Sequence, residues 1–191
     1  MPQAPTKPAP EADLDFFSTE DLESLQKEVT SSNGRFINPS KIEGDSRMRC
    51  FGPAVKGWEG WTTEDKPVRW PMKPTELPEN IRKRDDGKDP LKSFMALLVW
   101  EYDSMSFKVL SLTQKTLIRD FTTYALDKEN WGSYVDWDFK ITREGKGLET
   151  KYTFNPMPPK APPGEAVHEF KNLTFDINKL FDGEDPFGEA L

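Results

Sequence analysis

Three tryptophans fall within thirteen residues in GWEGWTTEDKPVRW (57–70): Trp58, Trp61 and Trp70, interleaved with Lys66 and Arg69 and preceded by Lys56. Glycines, threonines, acids and a proline fill the gaps, so these rings lack the apolar neighbours of core tryptophans. Flat rings that stack on nucleobases, beside cations that follow phosphates, are the chemistry of single-strand binding, where each stacked base contributes ~1–3 kcal/mol with little sequence preference. Guanidinium groups add cation–π contacts. Trp100 and Tyr102 extend the aromatic set where their strand face lines a groove. Arg47 and Arg49 precede them. Lys108, Lys140, Arg143, Lys146 and Lys151 follow, and these cations supply a backbone track. Packing is the competing reading. Trp100 follows ALLV and alternates with Leu98, Trp137 alternates with Phe139 and Ile141, and Trp131 ends a helical stretch, which favours the core for all three. The same flat surface also suits the face of a sugar ring.

The other chemistry-bearing residues are few. Cys50 is the one cysteine and His168 the one histidine, so an intrachain disulfide and a Cys/His zinc site are excluded. GxxxxGK[ST], GxGxxG and GxSxG are absent. The pair Asp136 and Asp138 reads as a solvated strand face. These absences predict a non-enzymatic protein with no catalytic residue, metal or cofactor. Near the end, FDGEDPFGEAL sets Asp182, Glu184 and Asp185 among Phe181 and Phe187. This reads either as a solvating tail or as a partner-docking motif, in which acids meet a basic patch and a phenylalanine enters a pocket.

Charge divides the chain into three parts. Residues 1–39 hold three basic and seven acidic side chains, residues 158–191 the same, and residues 40–157 twenty and nineteen. The net charge of −7 thus resides in the ends, and the middle is free to carry a basic face. This predicts a disordered or short-helical N-terminal extension (1–39), one globular domain (40–157), and a Pro-rich linker with an acidic tail (158–191). No apolar run reaches the ~18 residues of a membrane span and none resembles a signal peptide, which predicts a soluble cytoplasmic protein.

The elements follow from periodicity. STEDLESLQKEV (18–29) has a capping box and apolar residues at helical spacing. Strand patterns run over 46–61, with a bulge or bend at Gly52–Pro53, and over 93–102, 105–112, 133–143 and 148–156. KPVRW suggests an extra edge strand inside the long connection 62–92. Residues 113–130 read as an amphipathic helix on Leu117, Phe121 and Tyr124. Mainly β, with five strands and a helix between the third and fourth, is the order of an OB-fold, a Greek-key barrel.

KIEGDSRMRCFGPAVKGWEGWTTEDKPVRW, FMALLVWEYDSMSFKVLSLTQKTL and WGSYVDWDFKITREGKGLETKYTFNP together resemble a group of bacteriophage and prophage single-stranded DNA-binding (replication) proteins, over about Lys41 to Pro156. The resemblance implies an OB-fold and sequence-tolerant binding of single-stranded DNA in replication and recombination. It implies host cytoplasm as the setting for a phage-encoded chain. Trp58, Trp61, Arg69, Trp100, Arg143 and Lys146 are the matching motif positions. The acidic end resembles tails that recruit replication proteins, although Gly188–Leu191 follow the motif here. A protein-interaction or virion structural module is the alternative, and homo-oligomerisation is left open.

Overall fold

The computed structural model describes residues 34–188. The helix expected at 18–29 lies outside them. Seven strands form one curled, open, mixed sheet: β1 (Phe36–Ile37), β2 (Gly44–Trp61), β3 (Pro67–Trp70), β4 (Lys92–Glu101), β5 (Ser106–Leu112), β6 (Asp138–Glu144) and β7 (Lys151–Pro156). Their order is β1-β5-β4-β2-β6-β7, with β3 also paired to β2. The pairing is antiparallel except that β1 runs parallel to β5. Five expected strands are therefore seven. The added β3 is the strand suggested by KPVRW. The two-residue β1 is too short to leave a periodic signal.

β2 organises the sheet. Cys50 lies opposite Val99 and Ala54 opposite Leu97, so four residues of β2 advance against two of β4. The irregularity spans Phe51–Pro53, where Pro53 has no N–H to give a ladder. It divides β2 into halves with different neighbours on one edge: β6 pairs with Gly44–Arg49 and β3 with Trp58–Trp61.

The two faces of the sheet are both covered. Met48, Cys50, Leu97, Val99, Leu110, Phe139, Ile141 and Phe154 line the inner face. Helix α1 (Lys115–Leu126) closes it with Leu117 and Phe121, one turn apart. A four-residue helical turn, α2 (Lys128–Trp131), follows. Phe94, Ala96, Leu98, Trp100, Phe107 and Val109 form the outer face, and here the C-terminal segment is the cover. Ala166 on α3 (Gly164–Asn172), Ile177, Leu180 on α4 (Lys179–Asp182) and Phe187 pack onto it. Phe175 and Phe187 bridge to each other. Residues 164–188 are thus a folded layer over the sheet, which corrects the expected acidic tail, while Pro158–Pro162 form an irregular, exposed connection to it. The physical reason lies in SFMALLVW: an antiparallel strand apolar on both faces leaves a second face that must be buried.

The strand expected over 133–143 begins only at Asp138. Gly132 ends α2 with φ 69°, and the Ser133 N–H donates to the Asp136 carboxylate, closing a turn that removes Asp136 from the strand. No helix among the described residues is long and apolar enough to cross a membrane.

Candidate functional site

The second half of β2 carries a partly exposed aromatic surface. Trp58 lies opposite Ser93 on β4 and opposite Trp70 on β3. Ser93, Met95, Leu97 and Val99 share the inner face, so Trp58 and Trp70 lie side by side at its open end, beyond the core under α1. Lys56 occupies the same face two residues away and is exposed, without a carboxylate partner among the described residues. The Lys73 ammonium stands 4.9 Å from the Trp58 ring centroid and pairs with Asp89. The bond from Lys73, with the Leu91 N–H, holds the Asp89 carboxyl below its usual range. Glycine is needed beneath this pair: a Cβ on Gly57 would meet the Trp70 carbonyl oxygen at 2.1 Å, and one on Gly60 the Leu91 side chain at 2.8 Å and the Trp70 ring at 3.3 Å. Trp61 falls on the opposite face and is 41% exposed, so the three tryptophans make a pair and a separate ring.

The first half of β2 is closed. Trp100 is fully buried against Phe107, ring centroids 5.1 Å apart, and has no face to offer a base. Arg49 is also fully buried: Nε donates to Asp138 at 2.6 Å, Nη1 to the Lys160 carbonyl at 2.9 Å and Nη2 to the Asp136 carbonyl at 3.2 Å. Arg47 donates to the same carboxylate and lies over the Tyr102 ring at 4.3 Å. The Tyr102 hydroxyl (2.9 Å) and Lys160 ammonium (2.9 Å) complete its shell. Burial works to raise the Asp138 carboxyl, and the bonds from Arg47, Lys160, Tyr102 and Arg49 bring it below its usual value. Burial and the bond to Asp138 push the Tyr102 phenol up to about 12. Three expected ligand-binding residues, Arg47, Arg49 and Tyr102, are thus a structural hub, and Asp138 is its centre and not a solvated strand face. The hub also ties down the connection to the C-terminal layer at Lys160.

The remaining candidates divide. Arg69 donates to Glu59 at 2.9 Å and lies 4.9 Å from the Phe94 ring, its side chain only 14% exposed. Lys108 pairs with Glu101 at 2.5 Å, half out of water, and Lys140 with Asp45 at 2.7 Å. Arg143 is half-buried and reaches the Ile42 carbonyl at 3.5 Å. Lys146 and Lys151, at the β6–β7 hairpin, are exposed and unpaired among the described residues. They lie at the far end of the sheet from Trp58, on strands separated from β3. In the tail, Phe187 is buried and Phe181 packs on Phe94 with centroids 6.5 Å apart, whereas Asp182, Glu184 and Asp185 are exposed. The phenylalanines therefore hold the layer down and are not presented to a partner.

Sequence reasoning missed Lys73, Lys83, Arg84 and Lys88, in the connection between β3 and β4. For the last three the signal was IRKRDDGK (81–88), the densest basic run in the chain. The adjacent acids Asp85 and Asp86 conceal the excess. Burial holds the Cys50 thiol far above its usual value, so it is no nucleophile. Among the described residues no group of three His, Cys, Asp or Glu side chains is placed to hold a metal ion. Comparison with protein-family models, curated proteins and solved structures finds no match for this chain.

Proposed function

We propose that this protein binds single-stranded DNA without sequence preference, protecting strands exposed in replication or recombination. The observation that carries the reading is the Trp58–Trp70 pair, half-exposed at the open end of the inner face with Lys56 and Lys73 beside it. Rings on such a surface stack on bases, and adjacent ammonium groups replace counterions on the phosphates. The strand order supports an OB-type scaffold for this activity: β5-β4-β2-β6-β7 with α1 between β5 and β6. It departs from a closed barrel in that β5 and β7 do not pair and β1 extends the β5 edge. Asp182, Glu184 and Asp185 are exposed in the C-terminal layer, and a basic replication partner would meet Asp182 directly and compete with Lys179 for Glu184 and with Arg35 for Asp185.

A second reading, a non-enzymatic protein-interaction or virion structural module, draws support from Trp61, Met72 and Leu77, all exposed in one region of the chain. Titration of intrinsic tryptophan fluorescence with a dT oligomer, at low and then high salt, separates the two. Saturable quenching that weakens with salt and is lost in Trp58→Ala supports DNA binding. A folded protein with no quenching at low salt supports the interaction module, and quenching by soluble sugar alone supports a carbohydrate site.

A further inference from the structure

The connection between β3 and β4 folds around a cavity of about 480 Å³ beside the tryptophan pair. Its lining includes the apolar residues Pro74, Leu77, Pro90 and Leu91. It also includes four cations, Lys73, Lys83, Arg84 and Lys88, against the single acid Asp89. Asp89 is already engaged by Lys73 and by the Leu91 N–H at 2.9 Å. Arg84 and Lys88 share Asp86, at 2.8 and 3.4 Å, and Lys83 has no carboxylate partner among the described residues. The wall thus has positive charge in excess, among apolar side chains able to receive a ring. Lys73 belongs to both places, lining the cavity while standing 4.9 Å from the Trp58 ring centroid.

We propose that this cavity holds one nucleotide of the bound strand, next to the unit stacked on Trp58. Its phosphate is taken by Lys83 and Lys88, and its base lies against Leu77, Pro74 and Leu91. The size fits: ligand cavities begin at roughly 300 Å³, and an inorganic anion alone leaves most of this one empty. The lining agrees in chemistry, since a phosphate-bearing ring compound needs cationic and apolar groups at once. Lys73 then exchanges its place over Trp58 for a base and moves toward the phosphate between the two units. The inference rests on the DNA-binding reading and assigns its second contact.

The test follows backbone amide and indole N–H signals of the full isotope-labelled chain on addition of a dT oligomer, 5′-dTMP, thymidine or inorganic phosphate. The expected result is that the oligomer shifts the Trp58 and Trp70 indoles together with the Thr75, Gly87 and Leu91 amides. 5′-dTMP is expected to shift the three loop amides more strongly than phosphate does, and thymidine least. Lys83→Ala/Lys88→Ala removes the loop response, weakens oligomer affinity about tenfold or more at low salt, and leaves the indole shifts at saturation. A Lys128→Ala/Lys171→Ala variant, with the same charge change elsewhere, loses no more than about twofold. Indole shifts with a silent loop would overturn the nucleotide site while leaving the DNA reading standing. Silence at both overturns both. Equal response to phosphate and 5′-dTMP makes the cavity an anion site only, and a loop that responds to 5′-dTMP but not to the oligomer makes it a free-nucleotide site. Either result removes the proposal.

Discussion

The two halves of β2 carry similar residues to opposite ends. Before the bulge, Arg47 and Arg49 converge on Asp138, with Arg49 and the carboxylate fully buried, and neighbouring Trp100 is sealed in. After it, Lys56 is exposed and Trp58 is half-buried with Trp70 alongside. The difference lies in cover. β6, α1 and the C-terminal layer enclose the first half, whereas the second has β3 on one edge and only the β3–β4 connection beyond its ring pair. A cation enclosed with a carboxylate contributes to folding, and one left beside a partly exposed ring remains available to a ligand. The comparison teaches that residue type marks candidates for binding, but the cover over each residue decides which remain candidates.

Removing Asp138 should break this contrast most severely. Asp138→Ala leaves the Arg49 charge fully buried without its counterion, and truncating one partner of a buried pair costs about 3–5 kcal/mol. Urea unfolding is expected to show that loss, and an unchanged midpoint would contradict the hub. Phe187→Ala is next, at roughly 3 kcal/mol, because the ring is a buried anchor of the outer layer. A solvated tail would lose almost nothing in the same melt.

Binding should respond in the other half of the strand. Trp58→Ala and Trp70→Ala are each expected to weaken dT-oligomer affinity by ~1–3 kcal/mol, roughly 5- to 150-fold. Trp61→Ala, on the opposite face, should alter it far less, and equal losses from all three would dissolve the distinction between the pair and the separate ring. The pH dependence sharpens the comparison from the folding side. The Asp138 carboxyl lies below its unfolded value when folded, so its stabilisation is complete above the ordinary carboxylate range, near 4, and is lost as pH falls through the lower folded value. Urea midpoints for the wild type should therefore drop below pH 4, with a shallower drop in Asp138→Asn. The smallest effect belongs to Lys56→Ala: its salt slope for oligomer binding should fall by about one, with stability unchanged within ~0.5 kcal/mol.

Much of the scaffold was legible in the chain. Alternation located β4 and β5, the 117–121–124 spacing located α1, and Gly52–Pro53 located the break in β2. The tryptophan-rich stretch also marked the region of the open face. Individual site residues were less legible, because period-two patterning tells which residues share a face but not whether that face is later covered. Trp100 and Trp58 show this clearly. Both are strand tryptophans beside cations, and the layer that buries Trp100 begins some sixty residues further along the chain, in a segment whose composition reads as a tail.

The amino-acid sequence by itself determined the local structure: which segments extend, where β2 bends, which helix has an apolar stripe, and that rings and cations concentrate around 56–92. Those properties arise from steric preference and from the spacing of neighbouring side chains. Tertiary structure alone decided the fate of the charges and the aromatics. It brought Asp138 to Arg47 and Arg49 across about ninety residues, folded the acidic end onto the apolar outer face, and left Trp58 and Trp70 only half-buried. Whether a charge is paired or free, and a ring buried or exposed, depends on contacts between segments distant in sequence, and local pattern does not encode them.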